Sequence, residues 1–144
     1  MPRGNSARRK QRRYALRILF EMDMNRSSVD QVLEGKKLIG EEAPVEFTLE
    51  LARGVQDNQP EIDRLISGYS KGWELQRMPR VDRSILRMAL YELLYMEDIP
   101  PGVTIDEAVE LAKAFSTGDS GKFINGVLGN VNRDREEGKL NLSR

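Results

Sequence analysis

Apolar residues recur three and four positions apart along almost the whole chain, and no stretch of four or more residues alternates like a half-buried strand. This pattern predicts an all-α fold of about six or seven helices in a single domain. A first helix runs from about Ser6 to Met24, with Ala15, Ile18, Leu19 and Met22 as its buried stripe. A shorter helix around Val29 to Leu38 leads into the loop Gly40 to Pro44, and a third carries Phe47, Leu51 and Val55. Asn58, with Pro60 inside the first turn and Glu61 three residues on, reads as the start of a fourth helix bearing Ile62, Leu65 and Ile66, which Gly68 to Gly72 ends.

The second half is patterned more strongly. Pro79 opens a helix through Val81, Ile85, Met88, Ala89 and Leu93 that must stop before Pro100-Pro101-Gly102. Thr104 with Glu107 three residues later reads as a capping box, followed by the stripe Ile105, Ala108, Val109, Ala112 and Phe115. The last helix begins near Asp119 or Ser120 and buries Phe123, Ile124, Val127, Leu128 and Val131. From Asp134 to Arg144 the tail is polar enough to fray.

Charge changes the picture. Six of the first thirteen residues are basic (Arg3, Arg8, Arg9, Lys10, Arg12, Arg13) and none is acidic. Of 23 basic residues in all, that leaves 17 against 23 acidic ones over the rest of the chain, so a formal net charge of zero hides a basic segment on an acidic body. Such polarity suits a phosphate-rich partner, nucleic acid first. On a helix Arg8 and Arg12 share one face while Arg9, Arg13 and Arg17 share the next, a surface able to follow a bent single strand. The rival reading is a solvated tail. A transit peptide is also Arg-rich, but the core stripe continues directly past these charges.

Composition narrows the chemistry. With neither cysteine nor histidine, the chain has no disulfide, no thiol nucleophile and no usual zinc ligand set, and it lacks the common acid–base group. No glycine motif for a cofactor is present, so no cofactor and no catalysis are expected. No apolar run approaches a membrane span, which predicts a soluble protein, and the absence of cysteine suits the cytoplasm.

The turn Thr117 to Phe123 joins flexible backbone, a helix start, a lysine and an aromatic ring, where phosphate can dock. It is not a P-loop, because Phe123 follows the lysine and no strand precedes it. Lys122 is a candidate phosphate contact, Phe123 a candidate stacking ring and Asn125 a base-edge or backbone partner, while periodicity alone leans toward Phe123 as core. Gly126 weakens a helix unless something approaches closely, and packing against another helix is the simpler reason. Arg80, Arg83 and Arg87 form a second basic stripe, in which Arg87 is expected to pair with carboxylates and the others are open. Asp106, Glu107 and Glu110 read as first-turn acids rather than a catalytic cluster, and Trp73, Tyr91 and Tyr95 as anchors of the core.

The segments ILRMALYELLYMEDIPPGVTIDEAVELAKAF and GKFINGVLGNV, together with the N-terminal ARRKQRRYALRILF, resemble the NusB transcription antitermination factors across nearly the whole chain. One departure is Gly129, where many relatives carry an acidic or amide residue. The resemblance implies an all-helical fold of two packed sub-bundles, here about 6–73 and 79–134 with a polar tail at 135–144. It implies binding to the boxA element of nascent single-stranded RNA together with the ribosomal protein NusE, in an RNA polymerase antitermination complex on ribosomal RNA operons. It also implies that Phe123 and its neighbours lie near the RNA. The expected RNA-binding set is therefore Arg8, Arg9, Lys10, Arg12, Arg13, Lys122, Phe123 and Asn125. The alternative is a helical protein-interaction adaptor or homodimer whose basic arm contacts an acidic patch.

Overall fold

Helical periodicity in this chain resolves into six α-helices in a computed structural model that describes residues 2–140, with side chains from Ser6 onward. They are α1 (Pro2–Asn25), α2 (Val29–Leu38), α3 (Glu46–Tyr69), α4 (Arg80–Tyr95), α5 (Pro101–Phe115) and α6 (Ser120–Glu136), with a short 3-10 turn at Leu75–Arg77 before α4. Among the described residues there is no strand, and no helix is long and apolar enough to cross a membrane. The Arg3 side chain and residues 141–144 lie outside the described part, and the expected fraying of the tail falls partly there. Its start, Asp134 to Glu136, is helical, and Asp134 accepts a hydrogen bond from the Tyr69 hydroxyl.

The α4 helix is the centre of the protein. Nine consecutive residues from Asp82 to Leu90 are buried, because α1 and α3 cover one side and α5 and α6 the other. A helix surrounded in this way is apolar beyond a single stripe, and its polar residues must find internal partners. Ile85, Leu86, Met88 and Leu90 fill the middle and meet Ile18 of α1, Leu51 and Ile66 of α3, and Ile124 and Leu128 of α6 in one hydrophobic cluster. The α1 and α4 helices run antiparallel: Arg12 pairs with Glu92 near one end, and Asp23 with Arg83 near the other.

Two local expectations change and one is refined. The third and fourth helices adjoin with no loop between them, so α3 is two helical segments meeting at a kink at Asn58, the residue expected to start the fourth, whose backbone leaves the helical region (φ −119°, ψ 17°). Pro60 removes one backbone donor and crowds the carbonyl four residues earlier. The chain bends rather than stops there because both halves bury their stripes in the same core. The Asn58 amide fills the weakened turn by donating to the Gly54 carbonyl at 2.8 Å.

Thr104 is no cap, because α5 already begins at Pro101, a residue preset for the first helical position. Its hydroxyl points inward and donates to Glu92 at 2.9 Å, and Glu107 reaches across to Arg9 instead of back to the helix start. Asp106, Glu107 and Glu110 therefore sit beyond the first turn.

The aromatic anchors divide. Tyr91 packs against the core, so close over α3 that a β-carbon at Gly54 would collide with its ring carbons, whereas Tyr95, stacked on it with ring centres 5.2 Å apart, is 39% exposed and anchors nothing inside. Trp73 is not in the core: it is 54% exposed, in the connection between α3 and α4.

Candidate nucleic-acid interface

Side chains from the basic first turns of α1 reach Phe47 of α3, Glu92 of α4 and Glu107 of α5, which sorts them by face. Arg8 lies over the Phe47 ring, its guanidinium carbon 4.0 Å from the centroid. Arg9, on the neighbouring face, is half exposed and makes a two-point contact with Glu107 of α5 at 2.8 and 3.1 Å. Lys10 is exposed. Arg13 is exposed and reaches over Phe115, 5.9 Å from the ring centre.

Arg12 takes a different place from the expected one. It is 3% exposed and donates through Nε and Nη2 to both oxygens of Glu92, at 2.7 and 2.8 Å. The helical period that puts Arg8 and Arg12 on one face also carries Arg12 into the seam with α4. With Thr104 on the same carboxylate, the trio ties α1, α4 and α5 together.

The ion pair of Arg9 and Glu107 sets the electrostatics of the exposed arginines. The hydrogen bond from Arg9 holds the Glu107 carboxyl below its ordinary range against partial burial, and the charges of Arg9, Arg12 and Arg13 act in the same direction. Arg9 is pushed up in turn, first by that hydrogen bond. A phosphate that takes the Arg9 fork must displace Glu107. Sequence reading found the carboxylate but not this contact, because the two residues are 98 positions apart.

The second basic stripe is structural. Arg83 donates to Asp23 at 2.6 Å and to the Leu75 carbonyl at 2.9 Å, and Arg87 clasps Asp63 at 2.8 and 3.0 Å. Arg80, half exposed, lies 3.7 Å from Asp23. Pairing, expected for Arg87, extends to all three.

The α6 start supplies the other group. Lys122 and Asn125 are exposed, and Phe123 is half-buried with its ring against Trp73, centroids 5.9 Å apart. A mostly apolar cavity of about 700 Å³ is walled by Lys10, Arg13, Arg17, Phe20, Val81 and Phe115. A second, of about 330 Å³, is walled by Trp73, Pro79, Asp82, Phe123 and the turn Thr117 to Ser120. The two cavities share no lining residue; Val81 and Phe115 belong to the first, Asp82 and Thr117 to the second. Phe115, expected in the buried stripe of α5, is half exposed beside Arg13, and Trp73, expected in the core, is exposed beside Phe123.

These elements form a known arrangement. A profile of the NusB family matches residues 9–133. The chain belongs to the NusB family. A NusB relative, the transcription antitermination protein of Symbiobacterium thermophilum, is 45% identical over 138 residues, covering 88% of this chain and 90% of its own length. The solved NusB of T. maritima superposes with a TM-score of 0.78 at 40% identity, covering 92% of this chain and 97% of that one. A structure of the antitermination factors NusB and NusE with double-stranded RNA superposes at 0.73, with 26% identity and coverage of 88% and 96%. As a NusB-family member the chain is a transcription antitermination factor and not an enzyme.

One feature of α6 carries a prediction. A β-carbon at Gly126 would meet nothing, so no helix packs there, contrary to the simpler sequence reading. Gly126 lies one turn beyond Lys122 and beside Asn125. Gly126→Ala should raise stability by about 0.5–1 kcal/mol in urea denaturation. A fall in stability would show that the open surface is not what it is in this fold.

Proposed function

We propose that this chain binds the boxA element of nascent RNA as a single strand, jointly with ribosomal protein NusE, within RNA polymerase antitermination complexes on ribosomal RNA operons in the cytoplasm. The observation that supports this reading is that Arg8 lies over Phe47 and Arg13 over the half-exposed Phe115, with Lys10 and Arg9 beside them, while Lys122, Phe123 and Asn125 sit together at the start of α6. Cations alone suit any polyanion, whereas cations interleaved with rings suit a strand whose bases are unstacked. Arg12 contributes by fixing α1 from inside rather than by touching phosphate. The solved NusB–NusE pair supports NusE as the partner, since two weak contacts to one RNA reinforce each other.

The test is fluorescence anisotropy of a labelled boxA-like RNA against a scrambled one, with and without purified NusE. Preference for the boxA-like strand, strengthened by NusE, is the expected result. Equal binding to both RNAs, unchanged by NusE, would sink the reading.

A second reading rests on the apolar cavity beside Phe115, which is half exposed. A second copy of the chain covering it would also cover Arg13 and Lys10. Self-association and RNA binding would then compete, and sedimentation velocity with and without RNA separates the two.

A further inference from the structure

The end of α1 closes on a residue under strain. The Ser27 amide donates to the Met22 carbonyl at 3.1 Å, and Arg26, the residue that turns the chain between them, is left-handed with φ 53°. Glycine takes that position at least cost, and Arg26 is the only non-glycine with positive φ among the described residues. The helix dipole favours a cation near the end of α1, but it does not require one at the strained position itself. Arg26 is exposed and ion-pairs with no described carboxylate.

Arg26 borders a cavity of about 240 Å³ whose other walls include Asp23, Ser27, Gln59 and Arg87. Arg87 is 7% exposed and commits Nε and Nη2 to Asp63. Its Nη1 lies 3.6 Å from Asp23, too far for a hydrogen bond, and has no other acceptor among the described residues. The Ser27 hydroxyl and the Gln59 amide likewise hydrogen-bond to no described residue. Charge around the cavity is unbalanced. Asp23 and Asp63 already face Arg80, Arg83 and Arg87, and Arg26 makes four cations on two carboxylates. Asp23 lines the cavity as well, but it is taken by Arg83 at 2.6 Å. A phosphate group, with a charge of about −1.5 to −2 near pH 7 and several acceptor oxygens, matches both the surplus charge and the idle donors.

We propose that this cavity binds one phosphate group, free or carried on a small metabolite, held between Arg26 and Arg87 with Ser27 and Gln59 donating to its other oxygens. The site is separate from the RNA-facing arginines, since Asp23 stands about 21 Å farther along α1 than Arg9. With Gln59 on α3 and Arg87 on α4, an occupied cavity ties the end of α1 to both helices.

The full chain, labelled with nitrogen-15, is titrated with inorganic phosphate against chloride at constant ionic strength, and the backbone amides of Arg26 and Ser27 and the side-chain amide of Gln59 are followed by NMR. Saturating shifts at these groups, with a Kd of order 1 mM, are expected. Arg26→Gly should weaken binding roughly tenfold, yet its urea midpoint should be no lower than that of wild type, because glycine accepts the left-handed turn freely. Arg26→Lys, which keeps the charge without the fork, should fall between the two. Shifts that never saturate, shifts confined to the first turns of α1, or an Arg26→Gly variant that binds phosphate as tightly as wild type would each overturn the site. A parallel titration with adenosine monophosphate separates the sources: tighter saturation at the same amides assigns a carried phosphate, and equal or weaker saturation assigns the free ion.

Discussion

Arg12→Ala should cost about 4 kcal/mol of folding stability, within the 3–5 kcal/mol typical of stripping one partner from a buried ion pair. Glu92 is 2% exposed and would keep only the Thr104 hydroxyl, with both former guanidinium contacts empty. Against a total stability of order 5–15 kcal/mol this is a large fraction. The measurement is urea denaturation followed by circular dichroism. The double change Arg12→Met/Glu92→Leu, which removes both charges, should recover most of the loss. A single variant within about 1 kcal/mol of wild type would contradict an internal role. The distinction matters for any experiment that removes Arg8 and Arg12 together, because lost RNA binding would then report partly on unfolding.

Binding of single-stranded RNA should weaken about a hundredfold between 50 and 200 mM salt, from a slope near −3.5 if five cations meet phosphates at about −0.7 each. The five are Arg8, Arg9, Lys10, Arg13 and Lys122, all at or near the surface. The slope is measured by anisotropy across a salt series at fixed pH. Arg13→Ala should flatten it by about 0.7. Arg9→Ala should flatten it less than Arg13→Ala, because in wild type part of the Arg9 charge is returned to Glu107 when RNA leaves. A slope shallower than about −1 would mean that these cations do not meet the strand.

The difference between Arg12 and Arg13 also shows what a sequence conveys. Periodicity placed both on the first helix and located the helices around Leu51, Ile85, Ala108 and Ile124, since burial of a stripe is a local property. Which of several adjacent arginines faces inward depends on Glu92, 80 positions away, and nothing local marks that. The same limit hid Thr104 from view as a core hydroxyl: its spacing to Glu107 matches a cap, and only the carboxylate on α4 redirects it. Trp73 misled in the opposite sense, because large aromatics are usually buried and its position in a connection outweighed its chemistry. The grouping of Lys122, Phe123 and Asn125 was visible in the sequence because they share one short turn and helix start.

The basic arm and part of the hydrophobic core belong to successive turns of one helix. Arg8, Arg9 and Arg13 lie on α1, and so do Ala15, Leu16, Ile18, Leu19 and Met22, all buried. The arm is consequently no detachable appendage: a protease that cuts within it exposes the core, and the remainder is degraded with it. Whatever grips the arm also protects the whole molecule from proteolysis, so occupancy by a ligand can be read as survival time in a protease digest without labelling either partner.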